Sequence, residues 1–268
     1  MIEQRPNKKS PVCMNDAKLT STRHALLQFS HELGKPEHRL AILGEGNTSA
    51  RVDEETLFVK ASGSELRSLL PEQLVHVRFD RILALLEQNL DDAATNAALL
   101  AARVDETAAK PSVETSFHAW LLRQEGVHFV GHTHSIEVNK ILCSDKAALF
   151  ATQRLFPDEI VCCGPRSLLI EYVDPGTLLA CAIREGWQRF VAENGFAPRL
   201  ILLKNHGMIA VGASAGAVLA TTFMAMKAAE IFNGACANGK IVFMPEQEVQ
   251  RIYSRQDEHY RQRMLKLL

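Results

Sequence analysis

Two histidines stand one residue apart behind an apolar run in the segment VGHTHS, residues 130–135. The preceding letters GVHFV are β-branched and aromatic enough to predict a buried strand, and residues i and i+2 of a strand point to the same face. His132 and His134 therefore project side by side. Such a pair can supply half of a tetrahedral metal shell, and it can equally be two hydrogen-bonded histidines at a strand end.

A third histidine and a carboxylate extend this set. His206 follows the strand-forming letters LILLKN and stands before a glycine, at a strand end or bend. Glu114 lies in the first turn of a predicted helix, and His118 lies one turn later on the same face, so that either could reach a metal. Three imidazoles and one carboxylate suit Zn²⁺, which binds nitrogen and oxygen tetrahedrally and acts as a Lewis acid at an open position. The spacing alone leaves open whether these residues converge.

Two glycine-rich segments, GEGNTS at 44–49 and ASGSE at 61–65, carry hydroxyl and amide side chains. Glycine lets backbone N–H groups approach an anion, and Asn, Ser or Thr side chains can donate hydrogen bonds to it. The segments are therefore candidate phosphate loops. Each also fits an ordinary turn, and GEGNTS lacks the GxGxxG pattern. Lys60 precedes the second loop, where a solvated lysine at a strand end is the simpler interpretation.

The elements that would position these residues alternate between helix and strand patterns. A helix is predicted from Asn15 or Asp16 to Gly34, and the strands TSARV and TLFVK form a hairpin around the turn DEE. Ser112 is the predicted N-cap of the helix that carries VETSFHAWLLRQ. Further strands are predicted at LVHVRF, IVCCG and LILLKNHGMIAVG, and further helices at DRILALLEQ, 93–104, 136–155, PGTLLACAIREGWQRFVAE, SAGAVLATTFMAMKAAEIF and from Pro245 to the end.

The bulk composition is that of a globular domain. The 268 residues are 47% hydrophobic, and 30 Lys and Arg balance 31 Asp and Glu, which argues against nucleic acid as a partner. No repeat or linker divides the chain, so residues 1–14 are predicted to be a flexible tail and 15–268 a single domain. No apolar stretch approaches the roughly 18 residues that span a bilayer, and the N-terminus lacks a signal-peptide core. We therefore expect a cytoplasmic protein without a membrane partner.

The six cysteines form no CxxC pair, which is typical of reduced thiols in an intracellular domain. Cys162 and Cys163 are adjacent and are interpreted as strand residues, in preference to a redox or metal pair. They are not candidate metal ligands.

Five segments in a fixed order, GEGNTSAR, FVKASGSEL, KPSVETSFHAWL, VGHTHS and KNHGMIAVG, resemble the class II aldolase/adducin family. That family includes L-fuculose-phosphate and L-rhamnulose-phosphate aldolases, and the resemblance runs from about residue 20 to 235. It implies a three-layer α/β/α sandwich around a mixed, largely antiparallel sheet. It also implies a homotetramer with the active site near a subunit interface.

The resemblance implies roles for the candidate metal residues. His132, His134 and His206 match the histidines that bind a divalent metal in the family's aldolases, usually zinc, with another divalent transition metal possible. Glu114 matches the family's acid, which can occupy a metal position and serve as general base. His118 matches a position outside the metal shell and is expected to be structural.

The resemblance also implies phosphate contacts from Asn47, Ser62, Gly63 and Ser112. Phosphate-binding members often read Ser-Ser-Glu, whereas this chain has Val113 between Ser112 and Glu114. One hydroxyl donor is thus replaced by an apolar group, and an unphosphorylated substrate is a second possibility. The tyrosine that fuculose-phosphate aldolase uses as an acid has no clear match; the possible substitutes are Tyr172, Tyr253 and Tyr260.

These features predict a zinc-dependent, aldolase-type lyase that cleaves or forms a carbon–carbon bond next to a carbonyl in a small sugar-phosphate or hydroxylated carbonyl substrate. The same metal chemistry serves family decarboxylases and a dehydratase, so those reactions are alternatives. An adducin-like binding module is a hypothesis of another class, but such modules lack the metal histidines. A metal hydrolase on a β/α barrel would need a further ligand, such as an aspartate at the end of a later strand, and no convincing candidate is present.

Overall fold

Seven strands form one central sheet in the computed structural model, which describes residues 11–88 and 90–257 together with residues 260 and 262. The strands are β1 (Asn47–Arg51), β2 (Thr56–Lys60), β3 (Leu74–Arg78), β4 (Phe129–Thr133), β5 (Leu168–Ile170), β6 (Leu200–Leu203) and β7 (Gly207–Gly212). Their order is β3-β2-β1-β4-β7-β6-β5, and only the β5–β6 pair is parallel. The sheet is therefore mixed and largely antiparallel, as predicted.

Helices cover both faces of this sheet. Those described are α1 (Pro11–Leu33), α2 (Phe79–Leu83), α3 (Asp92–Ala101), α4 (Thr115–Leu121), α5 (Ile136–Leu142), α6 (Ala147–Thr152), α7 (Pro157–Cys163), α8 (Thr177–Asn194), α9 (Ala215–Asn238) and α10 (Glu246–Tyr253). Short 3₁₀ turns lie at Pro36–His38, Pro71–Gln73 and Ala84–Glu87.

Strand side chains alternate between two apolar cores, because successive residues of a strand point to opposite faces. Leu57 and Ile209 belong to the core that α2, α3, α4 and α8 cover. Phe58 and Met208, the neighbours of those residues, belong to the core beneath α1, α5, α6 and α9. The predicted three-layer α/β/α sandwich is thus confirmed.

Gly131 lets two helices approach the central strand β4 closely. A Cβ at this position would lie 2.9 Å from the ring of Phe29 on α1 and 3.2 Å from Val218 on α9. Any larger residue would push these helices away from β4. Strand β4, which carries His132 and His134, is therefore packed closely against α1 and α9.

Two predicted strands differ in the structure. The predicted strand at Cys162 and Cys163 is wrong, since both residues lie in α7, which begins with Pro157 and has an acidic first turn that suits a helix N-terminus. The strand in this region is β5, the partner of β6. The segment LILLKNHGMIAVG forms β6 and β7 with a turn between them, where Asn205 adopts a left-handed φ of 55°.

The chain ends fit the prediction in part. Helix α1 ends at Leu33 as predicted but begins at Pro11, four residues before Asn15. Of the predicted tail 1–14, residues 1–10 lie outside the described part of the chain, and so do residues 263–268 of the predicted C-terminal helix. The single-domain assignment of 15–268 stays a prediction.

Helix α9 is the one described helix that passes the length and composition criteria for a membrane span, contrary to the expectation that no stretch would. It is Ala-rich, and 44% of its most apolar stretch is buried inside the fold. It packs against β4, β6, β7, α1, α5 and α7, as a core helix does.

Candidate metal and substrate site

Three imidazoles meet where β4 ends and β7 begins. His132 is the fourth residue of β4, His134 follows the end of that strand, and His206 occupies the turn before β7. The antiparallel pairing of β4 with β7 brings the turn beside the pair. The ring centroids are 4.8 Å apart for His132 and His134, 4.9 Å for His132 and His206, and 5.0 Å for His134 and His206.

Gly207 and α5 hold the His206 turn against the HxH pair. A Cβ at Gly207 would lie 2.6 Å from the carbonyl oxygen of Thr133 and 2.9 Å from the ring of His134, so this close approach requires glycine. Asn139 of α5 donates its side-chain N–H to the His206 carbonyl at 3.0 Å. Sequence reasoning missed Asn139, because its role depends on how α5 packs.

The nitrogen positions fit a divalent metal. One ligand atom from each of the three histidines can be chosen so that all lie within 4.8 Å of one another. His132 Nε2 lies 3.1 Å from His134 Nε2, and two ligands of a tetrahedral Zn²⁺ at about 2.0–2.1 Å lie about 3.3 Å apart. His132 Nδ1 bonds to the carbonyl oxygen of Met208, which leaves Nε2 as the ligand atom.

The histidine rings are held in the neutral form that binds metals. Burial, together with the charge of His206, lowers the pKa of His132 to about 3. Burial, together with the charge of His132, lowers the pKa of His134 to about 4. Burial also lowers the pKa of His206, against the attraction of Glu114. Neutral imidazoles offer lone pairs to an ion at neutral pH.

Glu114 directs its carboxylate at these nitrogens. Its Oε2 lies 3.6 Å from His132 Nε2 and its Oε1 lies 3.5 Å from His206 Nε2, while the residue is only 8% exposed. Asn47 donates its side-chain N–H to Oε2 at 2.6 Å. Glu114 is itself the N-cap residue of α4, so the predicted N-cap Ser112 is wrong.

The four predicted phosphate residues fall into two groups. Asn47 and Ser112 are buried beside Glu114, and Ser112 Oγ accepts hydrogen bonds from the Asn47 side chain and the Glu114 N–H, both at 3.3 Å. Ser62 and Gly63 lie on an exposed loop, where Gly63 has a φ of 77°. The backbone of this loop lies 3.8 Å from where a Cβ of Gly44 would stand, so the two glycine-rich loops are neighbours.

Lys60 is buried, which contradicts the prediction of a solvated side chain. It is 2% exposed, and its amino group donates to the carbonyl oxygens of Gly44, at 3.2 Å, and Ser64. Burial lowers its pKa to about 8, against the attraction of Glu114. Lys60 thus ties the two glycine-rich loops together.

The remaining candidates lie away from the three nitrogens. The His118 ring is fully buried and bonds to Ser49 Oγ at 2.7 Å and to Asn47 Oδ1. The Tyr172 hydroxyl donates to Asp174 on the surface. Tyr253 packs on Phe196, which precedes β6 at the end of the sheet opposite His206. These contacts place neither Tyr172 nor Tyr253 beside the three nitrogens, and Tyr260 is exposed.

Known proteins share this sequence pattern and fold. Residues 25–232 match the family model described as "Class II Aldolase and Adducin N-terminal domain". A protein of Bacillus subtilis (strain 168) named "Uncharacterized oxidoreductase YuxG" is 29% identical over 196 residues, which cover 70% of this chain and 26% of that protein. The chain therefore spans about a quarter of the length of this relative.

Solved structures show the same architecture. The N-terminal class II aldolase domain of a conserved protein from Thermoplasma acidophilum has a TM-score of 0.61 at 23% identity, over 86% of this chain and 97% of that one. A structure titled "L-fuculose 1-phosphate aldolase" has a TM-score of 0.65 at 18% identity, over 87% and 95% of the two chains. Because the family model covers most of the sequence and these structures share its fold, the chain belongs to the class II aldolase and adducin family.

Proposed function

We propose that the protein is a metal-dependent lyase of the aldolase type, acting next to a carbonyl in a small sugar-phosphate or hydroxylated carbonyl substrate. The observation that carries this proposal is the Glu114 carboxylate, 3.5–3.6 Å from the Nε2 atoms of His206 and His132. A buried acid beside three converging imidazoles suits proton transfer at a metal centre. A binding module would have no use for this arrangement.

His132, His134 and His206 would hold the ion, with Glu114 able to approach it. Imidazole nitrogen and carboxylate oxygen suit Zn²⁺, and the same donors accept other divalent transition metals. When bound, the ion supplies a Lewis acid that polarises substrate carbonyl and hydroxyl oxygens.

Glu114 would be the general base. Asn47 fixes one carboxylate oxygen by a hydrogen bond of 2.6 Å, so the group is oriented before the substrate arrives. In the direction that forms the carbon–carbon bond, the carboxylate would remove a proton from the substrate. In the cleavage direction it would return that proton. Its low exposure keeps water from competing for that proton.

Asn47, Ser62, Gly63 and Ser112 would contact an anionic substrate group. Ser112 Oγ already accepts two hydrogen bonds, so its own proton is available to a substrate oxygen. Asn47 uses its side-chain N–H groups on Glu114 and Ser112, so it would have to exchange one of these bonds to reach an anion. Val113 is exposed and offers no hydroxyl, which keeps an unphosphorylated substrate in the proposal.

A substrate panel tests this function. The purified protein with Zn²⁺ is given ketose and tetronate phosphates, each paired with its unphosphorylated counterpart, and aldehyde or ketone products are measured. Sugar phosphates lead the panel because a structure of the same fold is titled as an L-fuculose 1-phosphate aldolase. Cleavage of a panel member supports the proposal. Products of decarboxylation or dehydration would instead show that the enzyme catalyses one of those two reactions.

Glu114→Gln gives the residue-level test. The amide keeps the shape of the side chain and cannot accept the proton, so we expect kcat to fall by about 10²–10⁴-fold. The three histidines should still hold zinc, which metal analysis of the variant checks. A variant with the kcat of wild type would leave Glu114 only a structural role.

We further propose a cytoplasmic homotetramer whose partners are small carbohydrate substrates. Neither nucleic acid nor a membrane is part of the proposal, since the described charges are balanced and α9 is packed in the fold.

A further inference from the structure

A chain of hydrogen bonds leads to Glu114 from the far side of the site. Ser49 Oγ lies 2.7 Å from His118 Nδ1, His118 Nε2 bonds to Asn47 Oδ1, and Asn47 Nδ2 donates to Glu114 Oε2 at 2.6 Å. Ser49 and His118 are fully buried, and Asn47 is 3% exposed. The three supporting residues come from β1 and α4, the two elements that flank the carboxylate.

The chemistry of the atoms sets the direction of these bonds. An amide oxygen can only accept, so His118 Nε2 carries the proton and donates it to Asn47 Oδ1. Nδ1 of the neutral ring is then the acceptor of the Ser49 hydroxyl. Because His118 occupies the amide oxygen, the amide nitrogen of Asn47 must face Glu114.

The alternative orientation of Asn47 is unfavourable. A flip would place the amide oxygen against the Glu114 carboxylate, so that two acceptors would face each other. His118 could meet the flipped amide only in its other tautomer, and the buried contact with Glu114 would still lack a donor, which is costly. Asn47 is therefore held at both ends, which makes it a rigid link.

We propose that His118 is a positioning residue, which fixes the direction of the Glu114 carboxylate through Asn47. His118 makes its hydrogen bonds to Ser49 and Asn47 and none to the three metal-binding candidates or to Glu114, so its effect on the carboxylate would pass through this link. Its effect on catalysis rests on the proposed function of Glu114, whereas its effect on the geometry of Asn47 and Glu114 does not.

Two substitutions of His118 separate its polar role from its volume. His118→Gln keeps a donor and an acceptor, since the Gln N–H₂ can reach Asn47 and its oxygen can accept from Ser49. His118→Phe keeps a ring that can stack on Phe117, as the imidazole does at 4.5 Å, and removes both polar atoms. In crystals we expect the Asn47–Glu114 hydrogen bond to persist in His118→Gln and to break in His118→Phe. The proposal falls if the bond is unchanged in His118→Phe.

A double-mutant cycle on kcat tests the same link in solution. Misplacement of a catalytic group or loss of its supporting partner costs about 10–100-fold, so we expect His118→Phe to lower kcat by that factor. In the Glu114→Gln background the carboxylate is gone, and His118→Phe should cause no further loss. Equal losses in both backgrounds would overturn the proposal. If wild type turns over no panel substrate, the proposed function fails, while the crystal comparison still decides the role of His118.

A pair of buried serines supplies the matched control. Ser49 bonds to His118, whereas the Ser116 hydroxyl, buried on the same helix as His118, has no hydrogen-bond partner among the described residues. Ser49→Ala should lower kcat and shift Asn47, and Ser116→Ala should behave as wild type. These milder variants also serve if His118→Phe does not fold. Equal behaviour of the two serine variants would contradict the link.

Discussion

His134 is the most accessible of the three imidazoles. Its side chain is 24% exposed, whereas the ring of His132 is fully buried, packs edge-on against Phe117 and bonds to Met208. Removing His132 would therefore disturb the core as well as the site. His134 is the position at which the metal hypothesis can be tested without damage to the fold.

His134→Ala should give a folded, zinc-depleted protein. Two remaining imidazoles form a shell too poor to retain zinc tightly. Metal analysis gives zinc per chain and circular dichroism gives the folded state, with exposed His24→Ala as the control that keeps its zinc. Stoichiometric zinc in His134→Ala would remove this residue from the ligand set.

Lys60 should make stability depend on pH. Its pKa is about 8 in the folded chain and ordinarily 10.5, so between these values the unfolded chain binds a proton that the folded chain has lost. The free energy of unfolding therefore rises with pH across this window, by up to about 3 kcal/mol at about 1.4 kcal/mol per pKa unit. The neutral amine can still donate to Gly44 and Ser64, so both loop contacts survive.

Lys60→Met removes this titration and keeps an apolar side chain of similar length. We expect the unfolding free energy of wild type minus that of the variant to increase from pH 8 to 10.5 in urea titrations. Met in place of exposed Lys18 is the control for the loss of a lysine at the surface. A difference that stays constant over the window would contradict the lowered pKa.

At the scale of elements, the site depends on how closely the β6–β7 turn approaches the end of β4. Gly207 permits this approach, and the Thr133 carbonyl oxygen that a Cβ would meet belongs to backbone that cannot rotate away. By contrast, a Cβ at Gly234, inside α9, would meet no atom within 4 Å. Gly234 is therefore a suitable control position for substitutions of Gly207.

Gly207→Ala should displace the turn that carries His206. We expect the free energy of unfolding to fall by about 1–3 kcal/mol from overpacking, and zinc affinity to fall with it. Gly234→Ala should leave zinc affinity unchanged and raise stability by about 0.5–1 kcal/mol, because alanine is favoured inside a helix. Urea denaturation and zinc titration measure both quantities. Wild-type values for Gly207→Ala would show that the turn has room to move.

Elements with a local signal could be predicted from the sequence. The β1–β2 hairpin has alternating apolar residues on either side of an acidic turn, and α1 stops at a glycine. By contrast, the letters IVCC alone fit a buried strand and a helix equally well. Pro157 and the acidic first turn before them favour the helix, which packs on α9. Strand β5 has three residues, too few for any period to show.

Some residues of the candidate site could likewise be predicted from the sequence, and others could not. His132 and His134 could be paired from the strand period, His206 and Glu114 were candidates by their positions, and the family resemblance implied that the four act together. The burial of Lys60 could not be predicted, because it results from carbonyl groups of two loops that lie apart in sequence. The link from His118 to Glu114 likewise requires β1 beside α4, which no local pattern contains.

At the scale of the whole molecule, exposed apolar residues lie next to the site. Ile42 and Leu43, on the loop between α1 and β1, are 56% and 76% exposed beside Gly44 of the first glycine-rich loop. Burying a Leu or Ile side chain contributes about 1.5–3 kcal/mol, so a contact in which a neighbouring subunit covered this loop would be favourable. This placement is compatible with the proposed tetramer and its active site near an interface.

Light scattering at micromolar concentration should give four times the chain mass of 29.7 kDa. The measurement is repeated after chelation, which separates assembly from metal binding. A mass of one chain in both conditions would contradict the homotetramer.

The position of the imidazoles in the sheet order has a consequence for folding kinetics. His132 and His134 are neighbours in the unfolded chain, but His206 joins them only when β7 pairs with β4, and the segment that forms α5 to α8, β5 and β6 separates these two strands along the chain. Closing so long a segment is entropically slow, and pairings of high contact order form late. An ion that needs all three imidazoles would therefore bind after the centre of the sheet has closed, and its presence would slow the opening of that centre during unfolding.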